Sequence, residues 1–436
     1  MTTEKKVTPI DATRRKVLKT VGLAALAAPM ILRRAEADEP NEIVWWGWSL
    51  SGAQDEFRRR FPNVKLTYVN TGGYSKHYEK IRNALKAGTG LPDIVDIEYQ
   101  HVPSFAIINA LADMNELGAD SLRKDYLDWS WEQCNIGGRQ VAFPWGCGPM
   151  ISFYRADVME RYGLRVPETW AESAELAAKM AKATKDTFWT NFFVNQPACL
   201  NGLFWQNGAR PFKLDGTKIG IDINNAKAKA VVDYWQGLLN DKVIDAQPTY
   251  TAEWFSAIDS GRYALLPGVP WHLRRMLANG KAGAGKWRVA PLQQWKAGNH
   301  VSANWGGMTL GILNGSKKKR QAFEVVKWLL NNDDASKLHL DAGLFPVLKR
   351  TLRNEALMSE KLDFMGGQEA RKVFRKAAED VDTSFQFSPF EGYVQSVMKD
   401  EIATAVAGRS GTLSQALDAV QAKIVDYAKA QGFTVV

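Results

Sequence analysis

The chain reads as an α/β protein built on a parallel, helix-covered sheet. Strands and helices alternate in a βαβαβ rhythm from Glu42 onward, and a strongly helical tail runs from Gln368 to the end. Beyond residue 37 no apolar stretch reaches the ~20 residues needed to cross a bilayer. Ile43-Val44-Trp45-Trp46 forms a short apolar strand, broken at Gly47 and followed by Trp48-Ser49-Leu50-Ser51-Gly52. A helix over 54–60 buries Phe57 and stops at Phe61-Pro62. Val64 to Val69 alternates with period two, the mark of a half-buried strand. The next helix, Tyr78 to Ala87, ends at Gly88 and Gly90 with Pro92 beyond, and Ile94-Val95-Asp96-Ile97 is a buried strand tipped by Glu98-Tyr99. On such sheets ligands sit beyond the carboxyl ends of the strands, which is where Trp48, Ser49, Glu98 and Tyr99 fall.

Further along, 138–146 reads as a strand bent at Pro144 and Gly146, and Ile151 to Tyr154 as another. Asp157–Tyr162 is a short helix closed by Gly163, and Pro167-Glu168-Thr169-Trp170 opens a longer one. Helices are also expected around 226–239, 251–260 and 321–330. No internal repeat or low-complexity tract interrupts them.

The first 37 residues form an export leader. Thr13-Arg14-Arg15-Lys16-Val17-Leu18-Lys19 gives the twin-arginine pattern, a 12-residue apolar run (Val21–Leu32) follows, and Ala35-Glu36-Ala37 supplies a small-residue cleavage site. The expected location is therefore the periplasm, after passage through the twin-arginine machinery. The leader holds eight Lys/Arg and three acids, so the overall charge of +9 falls to +4 in the remainder, too little for a nucleic-acid footprint. Lys317-Lys318-Lys319-Arg320 reads as the exposed first turn of a helix capped by Ser316. Three cysteines, Cys134, Cys147 and Cys199, make no disulfide framework, and none follows the cleavage site to accept a lipid.

Enzyme signatures fail one by one. Gly280 and Gly285-Lys286 match a phosphate-cradle spacing, but Trp287 stands where a Mg²⁺-binding Ser/Thr is required. The five histidines (His77, His101, His272, His300, His339) show no i, i+4 pairing and no cysteine partners, so no metal and no cofactor is expected. There is no G-x-S-x-G elbow. The 16 tryptophans are the compositional oddity. At least half should be core, while a surplus of flat aromatic faces suits flat, hydroxylated or cationic ligands.

The order of short motifs resembles the family 1 extracellular solute-binding proteins, the sugar receptors of ABC importers with the maltose-binding type of fold. Glu42–Trp48 is similar to the family's first strand and loop, and Leu91-Pro92-Asp93-Ile94-Val95 to its G-x-P-D-I/V strand. Gly138–Pro144 followed by Phe153-Tyr154-Arg155-Ala156-Asp157 resembles its G-K-x-Y-x-x-P … Y-N-x-D run. Val166-Pro167-Glu168-Thr169-Trp170, Phe255 to Trp271, Ala303–Ile312 and Leu344-Phe345-Pro346-Val347 resemble four further elements in the family's order. The lipoprotein cysteine frequent in the family is absent.

The resemblance implies an α/β fold of two hinge-connected lobes, with an N-terminal lobe at 41–145 plus 300–346 and a C-terminal lobe at 148–297 plus 350–436. Hinges are expected near 144–147, 293–299 and 346–350. It also implies a non-enzymatic monomer that closes on a carbohydrate or polyol and delivers it to an ABC permease. Trp271 matches the family's stacking tryptophan, and Trp305-Gly306-Gly307 its cleft-lining glycine pair. Asn195 and Gln196 match a polar contact loop. Trp48, Ser49, Glu98, Tyr99 and the hinge residue Trp145 complete the candidate set, with packing or capping as the plain alternative for several. Trp205 and Trp254 read as core, and Cys147 as a small apolar residue. Two other readings stay open: a secreted carbohydrate-active enzyme, which needs a carboxylate pair in the cleft, and a receptor of the same fold for a polyamine, phosphorylated polyol or metal complex. A cleft rich in carboxylates or arginine favours the last.

Overall fold

The structure, a computed structural model, describes residues 42–48, 57, 59–330, 340 and 343–436. The leader, Ser49, His339 and most of the helix expected at 54–60 lie outside the described residues. Nine strands frame the site: β1 (Glu42–Gly47), β2 (Lys65–Asn70), β3 (Ile94–Glu98), β4 (Phe143–Pro149), β5 (Ile151–Arg155), β6 (Leu265–Gly268), β7 (Trp287–Pro291), β8 (Asn304–Ile312) and β9 (Phe345–Pro346).

The first sheet has the order β9-β4-β8-β3-β1-β2. Its βαβαβ half is parallel as the alternation predicts, with Trp45 opposite Tyr68 across β1 and β2 and edge-on to it at 5.5 Å. The expectation of a wholly parallel sheet is corrected by β8, which runs antiparallel to both β3 and β4. That strand arrives only after the chain has built a second sheet, so it re-enters from the opposite end. A mixed sheet results.

The second sheet, β6-β5-β7, is antiparallel throughout. The chain passes to it from β4 at Pro149–Met150, returns between Pro291 and Asn304, and crosses once more after β9. Residues 144–147 thus lie inside β4. The expected irregularity at Pro144 and Gly146 is a bulge within the strand: Thr309 pairs with Pro144 and Met308 with Gly146, leaving Trp145 as the extra residue. A proline without an N–H is accommodated at such an irregularity. A third small sheet pairs Lys218–Ile221 with Phe212–Asp215 and with the terminal Thr434–Val435.

Helix starts follow side-chain chemistry. Thr169 accepts from the Glu172 N–H and Thr251 from the Trp254 N–H, each fixing the first turn of the following helix. Ser316 accepts from the Lys318 N–H, just ahead of helix Lys319–Leu330. The tail resolves into Ala370–Glu379, Glu391–Val406 and Leu413–Ala430. Twelve of the 16 tryptophans are buried, Trp205 and Trp254 among them. Cys134, Cys147 and Cys199 are each buried and free.

Candidate ligand-binding cleft

A cleft of about 2370 Å³ opens between the elements of the first sheet and those of the second and third. That exceeds the ~300–1,000 Å³ of common small-ligand pockets and leaves room for several sugar units. Trp48, Glu98, Asn195, Gln196, Trp271, Trp305, Gly306 and Gly307 all line it. Tyr99 and Trp145 do not: Tyr99 is fully buried 5.6 Å from Trp129, and Trp145 packs 5.5 Å from Trp45.

On the first wall, Trp48 is aimed by a buried aspartate. Asp96, with no exposed surface, accepts from the Trp48 N–H (3.0 Å) and from the Trp45 indole (2.8 Å). A Cβ on Gly47 would meet the Asp96 carboxylate at 2.3 Å, so glycine is required where the strand ends. His77 stacks edge-on to Trp48 at 4.5 Å and binds the Asp96 carbonyl through Nε2. Burial, outweighing that hydrogen bond, pulls its pKa down to about 4, so the ring is neutral. Glu98 accepts weakly from the Tyr78 hydroxyl, and burial pushes its pKa up to about 8. Near neutrality it is a protonated, uncharged group.

The second wall is an aromatic cluster around helix Pro270–Asn279. Trp271 lies 5.9 Å from the half-buried Tyr250 and 4.2 Å and 5.6 Å from the buried His272 and Trp305, its own face half-buried. Gly306, at φ 76°, leaves only ordinary contact room below the Trp271 indole nitrogen, where its Cβ would stand at 3.7 Å. His272 Nδ1 accepts the Val269 N–H (3.1 Å), which assigns its proton to Nε2, 2.5 Å from the Tyr250 hydroxyl. Burial first, and Arg275 second, pull the His272 pKa down to about 3, so this tautomer persists. The Tyr250 oxygen is thereby an acceptor from histidine, and its own O–H is not used in that bond.

Asn195 acts at one remove. Its Oδ1 accepts from both the N–H and hydroxyl of Thr249 (2.9 Å each), and its Nδ2 donates to the Thr249 carbonyl. Asn191 clamps Gln247 in the same way. Together they hold the segment that presents Tyr250, a non-glycine residue at φ 66°. Among the described residues no group of three His, Cys, Asp or Glu side chains is placed to hold a metal, and no helix is long and apolar enough to cross a membrane.

The sequence model of the bacterial extracellular solute-binding protein family matches residues 49–336. The chain belongs to that family. It is 22% identical over 392 residues to the arabinooligosaccharide-binding protein of Bacillus subtilis (strain 168), covering 85% of this chain and 89% of that one. Among solved structures, the ABC transporter associated binding protein of B. animalis subsp. lactis Bl-04, in complex with β-1,6-galactobiose, superposes with TM-score 0.78 at 28% identity, over 91% of this chain and 99% of the other. The galacto-N-biose-/lacto-N-biose I-binding protein of Bifidobacterium longum gives TM-score 0.80 at 21% identity, over 91% and 98%. The fold is therefore the two-lobed α/β fold of this family, one of binding proteins rather than enzymes.

For this solute-binding protein, sequence reasoning missed Tyr250, Asp96 and two arginines of the wall, Arg274 and Arg275. The arginines were legible in principle. They follow Trp271 by three and four residues, the spacing that shares a helix face.

Proposed function

We propose that this protein is the receptor of an ABC importer and captures a saccharide or polyol between its lobes. Lobes at 41–145 plus 300–346 and 148–297 plus 350–436 would close by rotation at the three crossings, and the loaded form would dock on a membrane permease as a monomer. The observation that carries the reading is a single cleft whose walls pair aromatic faces with polar groups. Trp48 and Tyr78 stand on one side, Trp271 and Tyr250 on the other, with Gln100 and Gln196 beside them. Aromatic faces meet the apolar C–H faces of sugars, while side-chain amides and hydroxyls satisfy their hydroxyl groups. Contacts to both walls favour the closed state, because a guest shifts the equilibrium only by its differential affinity. The names of the relatives, which bind oligosaccharides, support the same class.

The leader supports export through the twin-arginine route with cleavage near Ala37, and replacing Arg14 and Arg15 by lysine should retain the protein in the cytoplasm. For binding, a thermal-shift and calorimetric screen against sugars and polyols should yield a ligand that raises the melting point, about 4 kcal/mol of stabilisation at a thousandfold excess over Kd. Small-angle scattering should then show a smaller radius of gyration in the loaded form. Turnover of a candidate glycan into product would overturn the receptor reading.

A further inference from the structure

The cleft has a charge bias that recognition of a neutral sugar does not require. Among the described residues its wall carries Arg82, Arg139, Arg275 and Lys399, with Arg274 beside them, and one acid, Glu98. Beyond the leader the chain is nearly balanced, with a charge of +4, so composition does not explain this excess of cations among the described wall residues. The one acid does not offset it, since burial keeps Glu98 protonated up to about pH 8.

Arg275 is the best-placed of these cations. Its guanidinium carbon lies 4.5 Å from the Tyr250 ring centre and 5.2 Å from that of Trp271. These are the two rings that define the second wall of the proposed saccharide site. The flat cation is held against aromatic faces, which leaves its N–H edge for a partner. Among the described residues it makes no ion pair with a carboxylate, although the arginines at 123, 155, 165, 210, 262, 371 and 375 each do. From the first-sheet side, Arg82 stands 5.8 Å from the rings of both Tyr78 and Phe105. A cation braced by aromatics thus faces the cleft from each side, one of them beside the main stacking platform. A guanidinium fixed this way presents a fork matched to an oxyanion and is less costly to order than a free side chain.

We propose that the cleft selects an acidic saccharide, a sugar carrying a carboxylate, sulfate or phosphate, and that Arg275 receives the anionic group while Trp271 and Tyr250 support the ring. This rests on the saccharide-receptor reading above and narrows it.

The test is calorimetry on the full mature chain with matched pairs: α-1,4-digalacturonate against α-1,4-galactobiose, and galactose 6-sulfate and galactose 6-phosphate against galactose. At least one acidic member should bind about tenfold or more tighter than its neutral counterpart, and the member that does so names the anion. Arg275→Gln should erase most of that preference while leaving the melting temperature of the unliganded protein unchanged, because the side chain is exposed. Arg275→Lys should recover only part of it, since charge without the fork is kept. Arg82→Gln provides an independent loss on the other wall. Neutral sugars binding as well as or better than every acidic partner would overturn the inference and leave the receptor reading standing. A preference unchanged in Arg275→Gln would overturn the role of Arg275. Absence of binding by both members of every pair would count against the saccharide reading itself.

Discussion

Trp271 and Asn195 divide the work of the second wall between contact and support. In the proposed saccharide site Trp271 would offer its half-exposed indole to the guest, and Trp271→Ala should weaken binding by about 2 kcal/mol, some thirtyfold, with little change in fold stability. A calorimetric titration of the variant decides this, and an unchanged Kd would remove Trp271 from the site. Asn195 instead spends its amide on Thr249. Asn195→Ala should lower stability by about 1–3 kcal/mol in denaturant melts, because it strands a buried N–H and hydroxyl, and affinity should fall indirectly as Tyr250 loosens. At this scale the sequence was half legible. Position after a strand located Trp48 and Glu98, and motif resemblance located Trp271 and the glycine pair. Tyr250 was hidden because nothing local marks it. It enters the cleft only through Asn195, 55 residues earlier in the chain, and through a hydrogen bond from His272.

Strand β8 binds the site to the sheet, and Gly307 is its critical point. A Cβ there would stand 2.6 Å from the Gly146 carbonyl oxygen and 2.9 Å from the Cys147 Cα, at φ 91°. Both neighbours are backbone and cannot rotate away. Gly307→Ala should therefore cost more than about 2 kcal/mol, read as a drop in the chemical-denaturation midpoint. Helix Glu391–Val406 carries a different liability. Glu391 is fully buried, accepts from Asn201 at 2.7 Å, and has its pKa pushed up to about 8 by burial. An unfolded glutamate ionises near 4.5 while the folded one keeps its proton, so this group costs stability progressively as pH rises from about 4.5 to 8. Glu391→Gln should flatten the fall in melting temperature over that interval, on the order of a few kcal/mol at its upper end. A wild-type slope in the variant would show that another group is responsible. The element pattern itself was readable wherever periodicity and caps coincide, as at Thr169 and Thr251. The direction of β8 was not, because strand sense depends on where the chain has been for the preceding 150 residues.

Across the whole molecule, the buried histidines set the acid limit. His77, His101 and His272 are held to about 4, 3 and 3 by burial, whereas unfolded histidine protonates near 6.5. The unfolded histidines therefore gain protons first, and their contribution to stability is lost as pH falls from 6.5 towards 3; the buried glutamates oppose this down to about 4.5, so thermal melts should show the fall most clearly below that pH. The architecture was legible because seven weak motifs occur in one order, and order is a property of the entire chain. The charge of the cleft was not, since Arg82, Arg139, Arg275 and Lys399 are scattered over more than 300 positions and converge only in three dimensions. The deep burial of most indoles has a spectroscopic corollary. Intrinsic emission will come mainly from sheltered, blue-shifted fluorophores indifferent to the solvent gap, so a guest should alter total intensity only modestly. Acrylamide should reach the half-buried Trp48, Trp271, Trp295 and Trp328 preferentially, and of these Trp48 and Trp271 line the cleft. Loading should then shield those two from the quencher, so that the Stern–Volmer slope reports occupancy even where raw brightness stays flat.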